Sequence, residues 1–209
     1  FTTGSGGVAT LNGPCGANKA RGTTGLPNPV GDPFAIDFVA HEMGHQWGGN
    51  HTFNGAASNC SGGNRSAANS FEPGSGITIM AYAGICGAQN LAGNSIDTFH
   101  VRSLEEIVAY SQTGNGNTCD VETATGNTPP TVTLPLGSSF NIPRNTPFAL
   151  TASATDPNPD TLTYDWQEYD TGGATGTTAV PNTDSDGTAR PIFRPYLPVG
   201  SGTRFFPSL

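Results

Sequence analysis

The sequence predicts an α+β unit followed by an all-β sandwich, with the change of character near residue 127. Three observations carry this reading. Two helix-forming stretches, one entered at Asp32-Pro33 and one near Ser103, stand among Gly- and Asn-rich loops. Thr123 to Pro130 has the composition of a linker. Beyond it, short runs of β-branched and aromatic residues alternate with turn formers. The expected units are residues 1–126 and 127–209.

In chain order, Gly6-Gly7-Val8-Ala9-Thr10-Leu11 reads as a single strand, and the rest of residues 1–31 as loop. Asp32 suits the helix N-cap, where its side chain can accept an orphan N–H. Pro33 suits the first helical position, where the missing N–H is no loss. Phe34, Phe38 and Val39 give part of an apolar face over 34–47, and Gly48-Gly49 ends the helix. Residues 50–76 read as irregular loop. Ile77-Thr78-Ile79-Met80 is a short apolar stretch running into a turn at Ala81-Tyr82-Ala83-Gly84. Ser103-Leu104-Glu105-Glu106 has capping-box form and predicts a second helix to about Ser111, broken at Gly114. In the second unit, strands are expected over 131–134, 148–152 and 161–166, with Trp166 in the sandwich core. The chain closes on the apolar Arg204-Phe205-Phe206-Pro207-Ser208-Leu209, which reads as a cut end.

Composition narrows the function. Of 209 residues, 34% are hydrophobic, while Gly (29) and Pro (17) are plentiful, so the core is small and loops abound. Charged residues make up 11%, the net charge is −8, and no Lys/Arg cluster exists, which excludes nucleic acid as a partner. The longest apolar candidate, 77–88, falls short of the roughly 20 residues a membrane-spanning helix needs. Cys15, Cys60, Cys86 and Cys119 form no CxxC pair, which argues against a thiolate zinc site. Their even number favours two disulfides and an oxidising, extracellular compartment, with buried free thiols as the alternative. Spacing leaves all three pairings open. No secretory leader begins at Phe1, so a secreted chain would start upstream.

The chemistry lies in His41-Glu42-Met43-Gly44-His45-Gln46-Trp47-Gly48-Gly49-Asn50-His51, an HExxHxxGxxH run. Residues four apart share a helix face, so His41 and His45 can aim their rings at one metal ion. Glu42, rotated round the helix, can take a proton from a water there instead of binding the metal. Gly48 permits the sharp turn that brings His51 back as third ligand. Neutral imidazoles with one open position suit Zn2+. HExxH alone arises by chance, but the added Gly and His lower that expectation to on the order of one in 100,000 chains.

This motif resembles the metzincin zinc peptidases, and among them bacterial reprolysin-like (adamalysin-related) members. Further support comes from Lys19-Ala20-Arg21-Gly22, from Gly31-Asp32-Pro33-Phe34 and from His51-Thr52-Phe53-Asn54. The resemblance covers about residues 1–120. It implies that Ile77 to Tyr82 is the Met-turn, with Met80, 29 residues past His51, as an apolar floor under the histidines. It implies that Tyr82 stabilises the oxyanion, and that the strand near Gly7–Leu11 is the edge to which an extended substrate pairs. It implies the disulfides Cys15–Cys119 and Cys60–Cys86. Only 40 residues precede His41, too few for the family's upper subdomain. Most of that N-terminal subdomain is therefore expected to be missing, leaving a fragment, a processing product or one piece of a nicked protein. Its upstream segment or propeptide is then an expected partner.

His100 has no ligand spacing to the motif and reads as structural or exposed. In the second unit, Ala154-Thr155-Asp156-Pro157-Asn158-Pro159-Asp160 before a Leu-Thr-Tyr strand resembles PKD- and cadherin-like immunoglobulin-fold modules. Asp156, Asn158 and Asp160 could hold Ca2+ there. A polar turn accounts for the same residues. The function so read is a secreted zinc metalloendopeptidase acting on protein or peptide substrates. The alternative is a fragment or degenerate protease serving as an extracellular binding module. A missing ligand or a missing Glu would favour that alternative, and neither is missing.

Overall fold

The computed structural model describes residues 5–174 and 190–207. The first unit opens with β1 (Gly6–Ala9) and β2 (Gly22–Gly25), paired antiparallel from Gly6↔Gly25 to Ala9↔Gly22. The predicted strand thus stops at Ala9 and has a partner the sequence reading missed. Gly-Thr-Thr-Gly lacks apolar alternation, so pairing and not side-chain burial makes it a strand.

Next, α1 (Gly31–Phe34) passes through a π-helical stretch (Ala35–Ala40) into α2 (His41–Gln46). The junction residues Ala35 and His41 both keep right-handed helical backbone, so the rod is continuous. Its N-cap is Val30 in extended conformation, not Asp32. Asp32 sits inside the first turn, where the helix dipole favours a carboxylate, and Pro33 shares that turn, where a missing N–H costs nothing.

A second helix, α3 (Val101–Val108), continues through a π-helical stretch (Ala109–Thr113) to Gly114. Its cap is His100 and not Ser103: the backbone is extended at His100, whose Nδ1 accepts the Arg102 N–H at 3.1 Å. Ser103 therefore lies one turn in, buried. His100 is structural, fully buried and stacked on Phe71.

Between the helices, residues 50–90 hold most of the core with almost no regular structure. Phe53, Ile77, Ile79, Met80 and the Cys60–Cys86 disulfide are buried there. Buried loop backbone must find partners, and polar side chains supply them. Gln89 Oε1 accepts the N–H groups of Ala56 (2.8 Å) and Ala57 (2.7 Å). A second disulfide, Cys15–Cys119, ties the start of this unit to its end. No described helix is long and apolar enough to cross a membrane.

Beyond the exposed stretch 121–130, the described residues do not show the expected sandwich. The described residues give two separate ladders: β3 (Thr131–Thr133) with β5 (Ser153–Thr155), and β4 (Phe148–Thr151) with β6 (Thr203–Phe206). The strand expected over 161–166 reduces to one bridge, Tyr164↔Val199, and Trp166 is only partly buried, donating Nε1–H to Gly202 O. Prolines and glycines shorten every run. Ser208 and Leu209 of the expected cut end lie outside the described residues. Gln167 to Gly173 lies on the first unit: Gln167 Oε1 accepts the Val101 N–H at 2.6 Å, and the Tyr169 ring packs 4.5 Å from Phe71.

Candidate metal centre and cleft

α2 carries His41 and His45 one turn apart. Gly48 then takes φ +99°, a left-handed conformation that side chains other than glycine's resist, and the chain folds back to present His51. The Nε2 atoms converge: His41 to His51 is 3.2 Å and His45 to His51 is 3.1 Å. The three rings are the one cluster of three or more His, Cys, Asp or Glu among the described residues whose ligand atoms lie within 4.8 Å of one another.

The other ring nitrogens explain which lone pairs point inward. His41 Nδ1 meets Ile79 O at 2.7 Å, His45 Nδ1 meets Gly49 O at 2.7 Å, and His51 Nδ1 meets Asn64 O at 2.5 Å. A carbonyl only accepts, so every Nδ1 carries the proton and every Nε2 is bare. Three bare lone pairs this close repel unless a cation lies among them. Tetrahedral Zn2+ with Zn–N of 2.0–2.1 Å requires nitrogens about 3.3–3.4 Å apart, close to the spacing observed. Burial holds the His41 imidazole down at about 3 and the His51 imidazole at about 4, with repulsion from His45 adding to both. Burial lowers His45 as well. All three are neutral at physiological pH, the form that ligates.

His51 is braced from two sides. Glu106 of α3 accepts from Asn50 N (2.9 Å) and Asn50 Nδ2 (2.7 Å), fixing the residue before His51. Glu72, fully buried, accepts from the Thr52 hydroxyl at 2.5 Å, from the Thr78 hydroxyl, and from the N–H groups of Ile77 (2.7 Å) and Thr78 (3.1 Å). It thereby ties the residue after His51 to the segment whose Ile79 carbonyl holds His41. The sequence reading missed Glu72. The available signal is that it is the only charged residue between Arg65 and Asp97. The three carbonyl acceptors have no sequence signal, because backbone oxygens belong to every residue.

Met80 is fully buried against α2 at Gly44 and against Gly49, and its carbonyl accepts the Thr52 N–H. Tyr82 stands edge-on to His51 with centroids 4.4 Å apart and packs on Phe53 at 4.8 Å. Burial and the nearby Glu42 raise the Tyr82 phenol, which therefore keeps its proton. Burial pushes the Glu42 carboxyl up to about 7, and its Oε2 is buried without a protein hydrogen-bond partner. Glu42, His41 and Tyr82 share a cleft of about 370 Å³ with Gly6 and Gly7 of β1.

The structure gives calcium no support at Asp156, Asn158 and Asp160. Asp156 Oδ1 accepts the Asn158 N–H at 2.7 Å, and Asn158 Oδ1 accepts the Thr128 N–H at 2.7 Å. One oxygen each of Asp156 and Asn158 is thus engaged in a turn and in holding the linker.

No curated protein and no solved structure matches the chain. One family model does, over residues 1–105, half of the chain and all of the metal cluster. With that match and three converging imidazoles, the chain belongs to the reprolysin-like M12B metallopeptidase family.

Proposed function

We propose that the chain is a secreted zinc endopeptidase, with His41, His45 and His51 as ligands and Glu42 as general base. The carrying observation is the set of three bare Nε2 atoms at near-tetrahedral spacing beside a buried carboxylate oxygen that lacks a partner. When bound, zinc polarises the scissile carbonyl and makes the attacking water acidic. Glu42 takes the proton from that water and returns it to the leaving amine. The protonated Tyr82 hydroxyl donates to the oxygen that becomes negative. Met80 gives the histidines an apolar floor, and β1 offers an edge to which an extended substrate adds. Two disulfides favour the oxidising compartment of a secreted protein. The second unit, 127–209, is an accessory module, supported by its strand ladders and exposed linker.

Elemental analysis with a casein digestion, run with and without chelator, tests this. The expectation is one zinc per chain and chelator-sensitive cleavage. Glu42→Ala should keep its zinc and lose about 10²- to 10⁴-fold in rate. Full activity in that variant refutes the general-base role, and absence of zinc from the native protein refutes the ligand set.

A further inference from the structure

The cleft beside Glu42 carries a second carboxylate. Asp37 precedes His41 by about one helical turn and lines the same cleft. Its carboxylate is held in place: Oδ1 accepts the Ser95 N–H at 2.7 Å. With the Asn94 amide turned nitrogen-inward, the orientation that satisfies both its ends, Oδ2 accepts from Asn94 at 2.9 Å. Each oxygen keeps a further lone-pair direction. Burial raises the Asp37 carboxyl and the Ser95 contact alone lowers it; no Lys or Arg contributes. Arg102 makes two ion pairs, with Glu105 and Glu106, both within α3. The same cleft is walled by the apolar Phe38, Ala83 and Ile85 as well.

A fixed, half-buried carboxylate among apolar walls, with no Lys or Arg lining the cleft, matches a side chain with an aliphatic stem and a positive head. Glu42 must hand its proton to the leaving amine, so the cleft that opens beside Glu42 faces the residue that carries that amine. We infer that this cleft selects substrates with lysine or arginine immediately after the scissile bond, and that Asp37 is the residue that selects them. The inference rests on the peptidase reading above for its direction along the substrate.

Two readouts on the zinc-loaded protein test it, with a pair of peptides differing only in Arg or Leu after the cut. One is the cleavage rate by native protein, and the other is equilibrium binding to Glu42→Ala. A charged hydrogen-bonded pair predicts a preference for Arg of about 10- to 100-fold in both. Asp37→Asn should bring the ratio close to one. That variant keeps the pocket's frame, since Asn94 can turn its oxygen toward the new amide. Equal handling of the two peptides, or a preference that survives Asp37→Asn, overturns the assignment. Asp37-dependent binding of the Arg peptide without any cleavage upholds the pocket and refutes the peptidase reading instead.

Discussion

Replacing Glu72 with alanine removes one acceptor from four donors at once. The two hydroxyls, Thr52 and Thr78, can rotate toward other partners, but the N–H groups of Ile77 and Thr78 are fixed and buried. Each orphaned buried N–H costs about 1–3 kcal/mol. The pair, with the space left by the lost side chain, puts Glu72→Ala at roughly 4–6 kcal/mol, a large share of the ~5–15 kcal/mol that holds a domain. Glu72→Gln keeps an oxygen where Oε2 faces both N–H groups and places an amide against two hydroxyls that can accept. Its cost should be about 1–2 kcal/mol, the difference between charged and neutral hydrogen bonds. Urea unfolding measures both variants. Because Glu72 links Thr52, next to His51, with the Ile77–Ile79 segment that holds His41, Glu72→Gln should also weaken zinc by about 10-fold in a chelator competition. An alanine variant within ~1 kcal/mol of native, or a glutamine variant as unstable as alanine, refutes the reasoning.

Two further outcomes follow from the structure. A Cβ on Gly7 would come within 2.1 Å of Glu42 Oε1. The obstruction runs along the Glu42 side chain, with Cδ at 2.6 Å and Cγ at 2.7 Å, so the whole carboxylate arm must swing aside; Gly7→Ala should still bind zinc, yet cut the cleavage rate at least 10-fold by moving the base, and an unchanged rate with normal zinc contradicts the placement of β1 over Glu42. Burial pushes the Glu168 carboxyl from 4.5 up to about 7, against the lowering effect of the Phe193 and Ile192 N–H groups. Between those two values the folded chain holds a proton that the unfolded chain releases, so this group makes stability fall as pH rises through that window. Glu168→Gln, which can still accept both N–H groups, should widen its Tm advantage over native protein from pH 5 to pH 8; a constant gap rejects the assignment.

What could be read from sequence and what could not divides along the range of the interactions. His41 and His45 lie four apart on one helix, so their spacing alone sets their common face with Glu42 rotated to one side, and Gly48 declares the turn that returns His51 because few other residues tolerate its backbone. Helix existence was legible for the same reason, but the caps were not. Val30 and His100 take those places because the incoming chain is extended there, a matter of tertiary path, while Asp32 and Ser103 carry the preferred chemistry two and three residues too late. The partner of β1 is a Gly-Thr-Thr-Gly run with no apolar pattern, and among the described residues the second unit's turn-rich runs pair into two short ladders.

By itself, then, the sequence determined the metal-binding residue types, their order and the cation they suit, because ligand chemistry and helical period are local properties. Only the tertiary structure decided that the Ile79, Gly49 and Asn64 carbonyls take the Nδ1 protons, that Glu72 binds the two sides of the centre, and that Asp37 shares the Glu42 cleft with no Lys or Arg lining it. The reason is physical: protonation, orphaned donors and charge compensation depend on distances between residues far apart in the chain, and those distances exist only once it has folded.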